Sequence, residues 1–168
     1  MLGKYRKYGL LVFLLLLIIF DLFLINLERQ NSKNYLTFAM LNVGQGDALF
    51  IESPTGTQVL FDGGPPKKVL NQLAQLMSPF DRHIDALVIT NPDADHISGF
   101  LDVLKVYEVD KIFEPGTLND SKIFQNLKTE IKNKNIFNIL AEKGMRLDIG
   151  GGAVIDILFP DRDVSMWD

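Results

Sequence analysis

The chain has 168 residues, 47% of them hydrophobic, with no cysteine, two histidines and 17 basic against 21 acidic side chains. That length suits about one domain of ordinary size. The missing cysteines exclude a disulfide framework and any thiolate metal site, and two histidines exclude a self-contained three-histidine site.

Charge is unevenly spread. Residues 1–27 carry Lys4, Arg6 and Lys7 against one acid, Asp21, so the other 141 residues hold 14 basic and 20 acidic groups, a net charge of −6. Such a body lacks the basic stripe expected of a nucleic-acid binder.

Between Leu10 and Ile25, fifteen of sixteen residues are Leu, Ile, Val or Phe, and the exception is Asp21. Each apolar residue favours insertion by about 0.3–0.6 kcal/mol, whereas a central Asp costs about 2.5–3.5 kcal/mol, so the sum favours a membrane segment. Residues 9–27 come close to the ~20 that cross a bilayer. A cleaved signal peptide is the rival, but the run exceeds a usual signal core and Asn26–Gln30 offers no small-x-small cleavage site. Asp21 reads as a tolerated polar residue rather than a helix partner or proton path. The expectation is therefore a cytoplasmic basic tail over residues 1–8 and a single-pass anchor in the cell membrane over 9–27. A polar linker over 28–34 and an outward-facing, extracytoplasmic body over 35–168 follow.

In that body, strand-like runs cover Tyr35–Val43, Asp47–Ser53 and Thr57–Phe61, parted by the turn signals Gly44-Gln45-Gly46 and Pro54-Thr55-Gly56. Helical spacing over Val69–Met77 follows the Gly63-Gly64-Pro65-Pro66 break, then a buried strand over Ile84–Thr90. A helix over Ile97–Lys105, a strand at Lys111–Phe113 and an amphipathic helix over Ser121–Asn133 come next. Strands at Ile136–Leu140, Met145–Ile149 and Val154–Phe159 complete the pattern. Hairpins first and β-α-β alternation afterwards predict an α/β fold with a mixed sheet.

Three patches carry candidate chemistry. In Thr90-Asn91-Pro92-Asp93-Ala94-Asp95-His96, Pro92 keeps Asn91 extended, and Asp93, Asp95 and His96 fall within four residues at the C-terminal end of a strand. A divalent cation would account for two carboxylates and an imidazole packed together. A helix start with Asp95 as its N-cap is the plainer alternative. In Phe61-Asp62-Gly63-Gly64, Asp62 either orients a metal ligand from behind or belongs to an ordinary Asp-Gly turn. Asn42-Val43-Gly44-Gln45-Gly46-Asp47-Ala48 lacks the third glycine of a dinucleotide fingerprint, and no helix follows, so it reads as a hairpin turn. His83 precedes a buried strand and reads as a surface residue.

Together and in this order, the Asn42–Ala48 hairpin, Asp62-Gly63-Gly64 and the stretch Asn91-Pro92-Asp93-Ala94-Asp95-His96-Ile97-Ser98-Gly99 resemble the metallo-β-lactamase-fold domain of ComEC-like competence proteins, over about Tyr35–Pro160. The resemblance implies the N-terminal part of an αββα fold and a metal-dependent hydrolase holding one or two ions. It matches Asp93 to a ligand of the first ion, Asp95 and His96 to ligands of the second, and Asp62 to the supporting acid. Asp95 is also the residue assigned to catalysis. Asn91 stands where the family has histidine and is a weak ligand. Two carboxylates and one imidazole lean toward Mn²⁺ or Mg²⁺, with Zn²⁺ open. By analogy a metal-bound hydroxide would attack a phosphodiester, with DNA or the competence machinery as partner.

The family adds a further Asp and His from its C-terminal half, yet no histidine follows His96, and the late acids Asp161, Asp163 and Asp168 lie elsewhere in the pattern. The chain is accordingly expected to be a fragment ending before the second half of the fold. A degenerate, non-catalytic surface binding module and a hydrolase of small esters or lactams on the same fold are the alternatives.

Overall fold

The structure, a computed structural model, describes the backbone of residues 2–30 and 34–166, with side chains described over 8–24 and 34–166. Trp167 and Asp168, and the side chains of Lys4, Arg6 and Lys7, lie outside the described residues. The chain divides into two units, Met1–Lys33 and Asn34–Asp168.

The described residues of the first unit form one helix, α1 (Leu2–Gln30), and residues 31–33 of the expected linker lie outside the described residues. The helix takes in most of the expected basic tail and the first residues of the expected linker, because Glu28, Arg29 and Gln30 continue the helical backbone. From Leu10 to Leu24 every apolar side chain is exposed, on all sides of the helix. Among the described residues no helix is long and apolar enough to cross a membrane; residues 25–27 of the expected span lie outside the described side chains.

The second unit is built on a six-stranded sheet in the order β1-β2-β3-β4-β5-β6, with β1 (Thr37–Met40), β2 (Leu49–Glu52), β3 (Gln58–Phe61), β4 (His83–Val88), β5 (Glu108–Glu114) and β6 (Phe137–Leu140). The two β1-β2-β3 hairpins are antiparallel, and β3 to β6 run parallel. Parallel neighbours need crossovers, which α2 (Val69–Leu76), α3 (Ala94–Val106) and α4 (Lys122–Asn133) provide. β7 (Arg146–Gly150) and β8 (Ala153–Asp156) form a separate hairpin. The mixed α/β architecture expected from the pattern is thus present, with all eleven body elements at their anticipated places.

Strand alternation divides the core in two. Leu60, Leu87 and Ile112 face Leu73, Phe100, Val103 and Leu127 of the three helices, which share one face as successive same-handed crossovers require. On the opposite face Ile51, Val59, Ala86 and Phe113 meet Ile149, Leu147 and Ile155 of the β7–β8 hairpin. A strand covered on both faces reads as a continuous apolar run, as Ala86-Leu87-Val88-Ile89 does.

Glycines set how closely the helix layer can approach the sheet's C-terminal edge. A Cβ on Gly99 would sit 1.9 Å from the Gly63 carbonyl oxygen, and one on Gly63 would sit 2.8 Å from the Phe100 nitrogen. The vacated space is bridged by hydrogen bonds from Gly63 N–H to His96 O (2.6 Å) and from Gly99 N–H to Gly64 O (2.9 Å). Gly99→Ala must push α3 off the β3 turn. It is expected to cost about 2–3 kcal/mol of stability, as overpacking does, whereas Leu118→Ala at an exposed position should leave the urea midpoint nearly unchanged. Equal midpoints for the two variants would show that the close approach is not needed.

A candidate metal-site half at the edge of the sheet

The parallel β3–β4 pair brings the two distant acid-bearing segments together. Phe61 lies opposite Val88, and the ladder runs one step further with Asp62 N–H donating to Val88 O (2.9 Å). Asp62 therefore leaves β3 beside Thr90 as it leaves β4. Its backbone is left-handed, with φ of 52°, and the residue is only 2% exposed. A buried carboxylate must have donors, or its desolvation goes uncompensated. Thr90 gives two: its N–H donates to Asp62 Oδ1 at 2.9 Å, and its hydroxyl donates to Oδ2. The third partner is His96, whose Nδ1 lies 2.9 Å from the same Oδ2.

His96 is reached because α3 begins three residues earlier than its apolar spacing indicates. Asp93, not Asp95, occupies the N-cap position, and its side chain makes no capping bond. His96 and Ile97 donate to the Asp93 carbonyl (2.9 and 3.1 Å), which places Asp95 and His96 on the first helical turn. The N-cap alternative for Asp95 is thus corrected: the helix closes on backbone bonds to Asp93 and leaves both acid side chains uncommitted as caps.

Burial pushes the Asp62 carboxyl up, against the opposing hydrogen bonds from Thr90 and His96. Burial would lower His96, but the hydrogen bond to Asp62 and the charges of Asp62, Asp95 and Asp47 together hold it above the usual histidine range. Asp47 is not among the site residues expected from the sequence. It reaches this neighbourhood because the Gly44–Asp47 turn lies against the start of α3: a Cβ on Gly46, at φ of 81°, would fall 1.9 Å from the Asp95 carbonyl oxygen. The hairpin reading of this stretch holds, since Leu41 N–H donates to Ala48 O (2.9 Å) between β1 and β2. Of its two glycines, Gly46 serves close packing against α3, while Gly44, at φ of 88°, has open space around it and answers to the turn alone.

Of the other expected ligands, Asn91 and Asp93 are hydrogen-bonded to each other. Asn91 Nδ2 donates to Asp93 Oδ2 and Asp93 N–H donates back to Asn91 Oδ1, both at 3.1 Å, a local turn that Pro92 favours. Asn91 and Asp93 line a cleft of about 1110 Å³ at the C-terminal ends of the parallel strands, lined also by Thr117, Asn119 and Asp120, with no Lys or Arg among its described lining residues. Asp95 and His96 do not line it.

A divalent ion needs a converging donor set. With His96 Nδ1 committed to Asp62, its Nε2 is the nitrogen left for an ion, in the carboxylate–histidine arrangement that supports metal binding. Yet among the described residues no three His, Asp or Glu side chains gather closely enough to hold a metal. The residues present therefore fit one oriented ligand and not a complete centre.

Residues 41–146 match the Metallo-beta-lactamase superfamily. No curated protein matches the chain. Similar solved structures include rubredoxin oxygen:oxidoreductase from the anaerobe Desulfovibrio gigas, at 22% identity and a TM-score of 0.46 over 68% of this chain and 30% of that one. The metallo-beta-lactamase SMB-1 bound to 2-mercaptoethanesulfonate is 14% identical, with a TM-score of 0.46 over 70% of this chain and 48% of that one. A diphosphatase from the PhnP family is 15% identical, with a TM-score of 0.45 over 67% of this chain and 52% of that one. The chain thus spans about a third to a half of the structures it resembles.

The other histidine, His83, opens β4, and its Nε2 lies 3.0 Å from Asp110 Oδ1 with the ring 44% exposed, in keeping with a surface residue. The Asp110 hydrogen bond raises its pKa, against burial and with help from the charges of Asp110, Asp85 and Asp81. A histidine pKa raised on folding stabilises the fold fully below the unfolded value of about 6.5 and loses that contribution as pH climbs through the folded value. Asp110→Asn should therefore lower stability by no more than about 0.5 kcal/mol near pH 5.5, given the exposure, and by nothing measurable near pH 9. A loss that is the same at both pH values would contradict the pairing.

Proposed function

The chain belongs to the metallo-beta-lactamase superfamily, and on that premise we propose that it carries the N-terminal part of a membrane-anchored, outward-facing, metal-dependent hydrolase of ComEC-like type. One observation carries the proposal: Asp62 holds His96 by Nδ1 at the head of α3, at the place in the fold where the superfamily-matching segment presents Asp93 and Asp95. The fold is of the hydrolase type, and superfamily members generally bind divalent metals such as zinc.

In this reading Asp93, Asp95 and His96 are the residues the chain contributes to the metal centre, with Asn91 a weak fourth and Asp62 the support behind His96. The remaining ligands come from the second half of the superfamily fold. Zn²⁺ or Mn²⁺ are the ions that suit such donors, with Mg²⁺ a harder third choice. A phosphodiester, in DNA taken up from outside, is the substrate that the ComEC-like resemblance suggests. Among the described residues that line the cleft bordered by Asn91 and Asp93 there is no Lys or Arg, so phosphate recognition would fall to the metal and to residues beyond the cleft.

Anchoring rests on α1. A helix apolar on every face has little to give to water and needs an apolar surrounding, and Leu10–Leu24 come near that description, with Asp21 the one polar residue among them. The basic residues before it, Lys4, Arg6 and Lys7, favour a cytoplasmic N-terminus.

Among the described residues the donor set is incomplete, which favours a second reading, a surface module that binds a ligand without hydrolysing it. Metal analysis separates the two. A protein extended through the rest of the superfamily fold is expected to purify with at least one divalent ion, to lose it with Asp95→Ala, and to bind it about tenfold more tightly with Asn91→His, because imidazole is the better ligand. An extended protein without metal would leave only the binding module. For the anchor, the chain is expected to stay with membranes through an alkaline carbonate wash, and release by that wash would contradict it.

A further inference from the structure

Thr90 lies outside the candidate ligand set, yet it makes two of the contacts to the carboxylate on which His96 depends. Its N–H fixes Asp62 Oδ1 at 2.9 Å and its hydroxyl donates to Oδ2, the oxygen that His96 Nδ1 approaches at 2.9 Å. Two donors on different oxygens, both from one residue, fix the plane of a carboxylate more firmly than a single bond can. The Asp62 backbone, at φ of 52°, is not the source of that order, because such a conformation is itself disfavoured and must be held by its surroundings. Thr90 itself is exposed on the cleft, while the carboxylate it clamps is buried.

We propose that Thr90 is a positioning residue for His96: by gripping both oxygens of Asp62 it aims Oδ2 at His96 Nδ1, so that the ring carries its proton on Nδ1 and presents Nε2 as the open acceptor. The two donors that meet at Oδ2 share its lone pairs, and the Thr90 hydroxyl sets the direction left for the histidine. Only the significance of an open Nε2 rests on the hydrolase reading; the geometry and its test do not.

The test is the tautomer of His96, read from its ring nitrogen signals by NMR in the full chain at a pH where the ring is neutral. The wild-type protein is expected to show the Nδ1–H form. Thr90→Val keeps the shape and removes the hydroxyl, and it should shift the ratio of the two tautomers toward Nε2–H by about fivefold, the equivalent of one hydrogen bond. Thr90→Ser should restore the wild-type ratio, which loss of packing alone would not explain. Should Thr90→Val fail to fold, Thr90→Ala at this exposed position takes its place with the same expected shift. An Nε2–H ring in the wild-type protein, or a ratio unchanged by removal of the hydroxyl, overturns the proposal. Neither result depends on a bound metal, so the proposal can fail while the hydrolase reading stands, and the reverse.

Discussion

A buried carboxylate that cannot be left unpaired governs this fold. Asp62 sits at the C-terminal end of β3 with its oxygens turned to Thr90 and His96. Desolvation would make it an expensive residue, and losing a partner of a buried polar group costs about 1–3 kcal/mol or more. Its donors come from the end of β4 and the first turn of α3, so satisfying one side chain ties three successive segments into one corner. The same corner is where a parallel sheet places its chemistry, and one carboxylate thus serves both stability and the orientation of a candidate ligand.

The glycines make the corner possible. Asp62 can touch His96 only if α3 descends onto the Asp62–Gly64 turn, and Gly63 and Gly99 vacate the space between them. Gly46 does the same for the β1–β2 turn, which brings Asp47 within electrostatic reach of His96. Three short motifs far apart in the chain are thus one packing unit. Their glycines answer to backbone contact distance, while their acids and histidine answer to charge.

Much of this corner is legible in the amino-acid sequence itself. The alternation of apolar residues locates every strand and helix of the body, since hairpin spacing and helical spacing differ and the turns are marked by Gly and Pro. Asp62 and His96 are identifiable by residue type and by the order of the motifs. The start of α3 is less legible: Asp93–His96 has the composition of a loop, and only the backbone bonds from His96 and Ile97 to Asp93 reveal a helical turn there. Thr90 is hidden for a different reason. A β-branched residue at the end of a strand is ordinarily a packing residue, and its partner stands 28 positions away across a parallel pairing that local pattern cannot register. Asp47 is likewise masked by its glycine neighbours, which suggest a turn and nothing more. Its adjacency to a Gly-x-Gly pair that can bear close contact is the available signal.

The arrangement also separates the oriented histidine from the other candidate ligands. His96 is oriented, but Asn91 and Asp93 are bonded to each other and face a cleft that His96 does not line. Orientation of the histidine is therefore a property of the corner itself, and convergence of the remaining ligands is not. The most direct measurement is a double-mutant cycle on the full chain, with Asp62→Ala and His96→Ala singly and together, followed by urea unfolding. A coupling of at least about 1 kcal/mol between the two positions is expected, as residues sharing one hydrogen-bond network show. Additive losses, with no coupling beyond error, would contradict it.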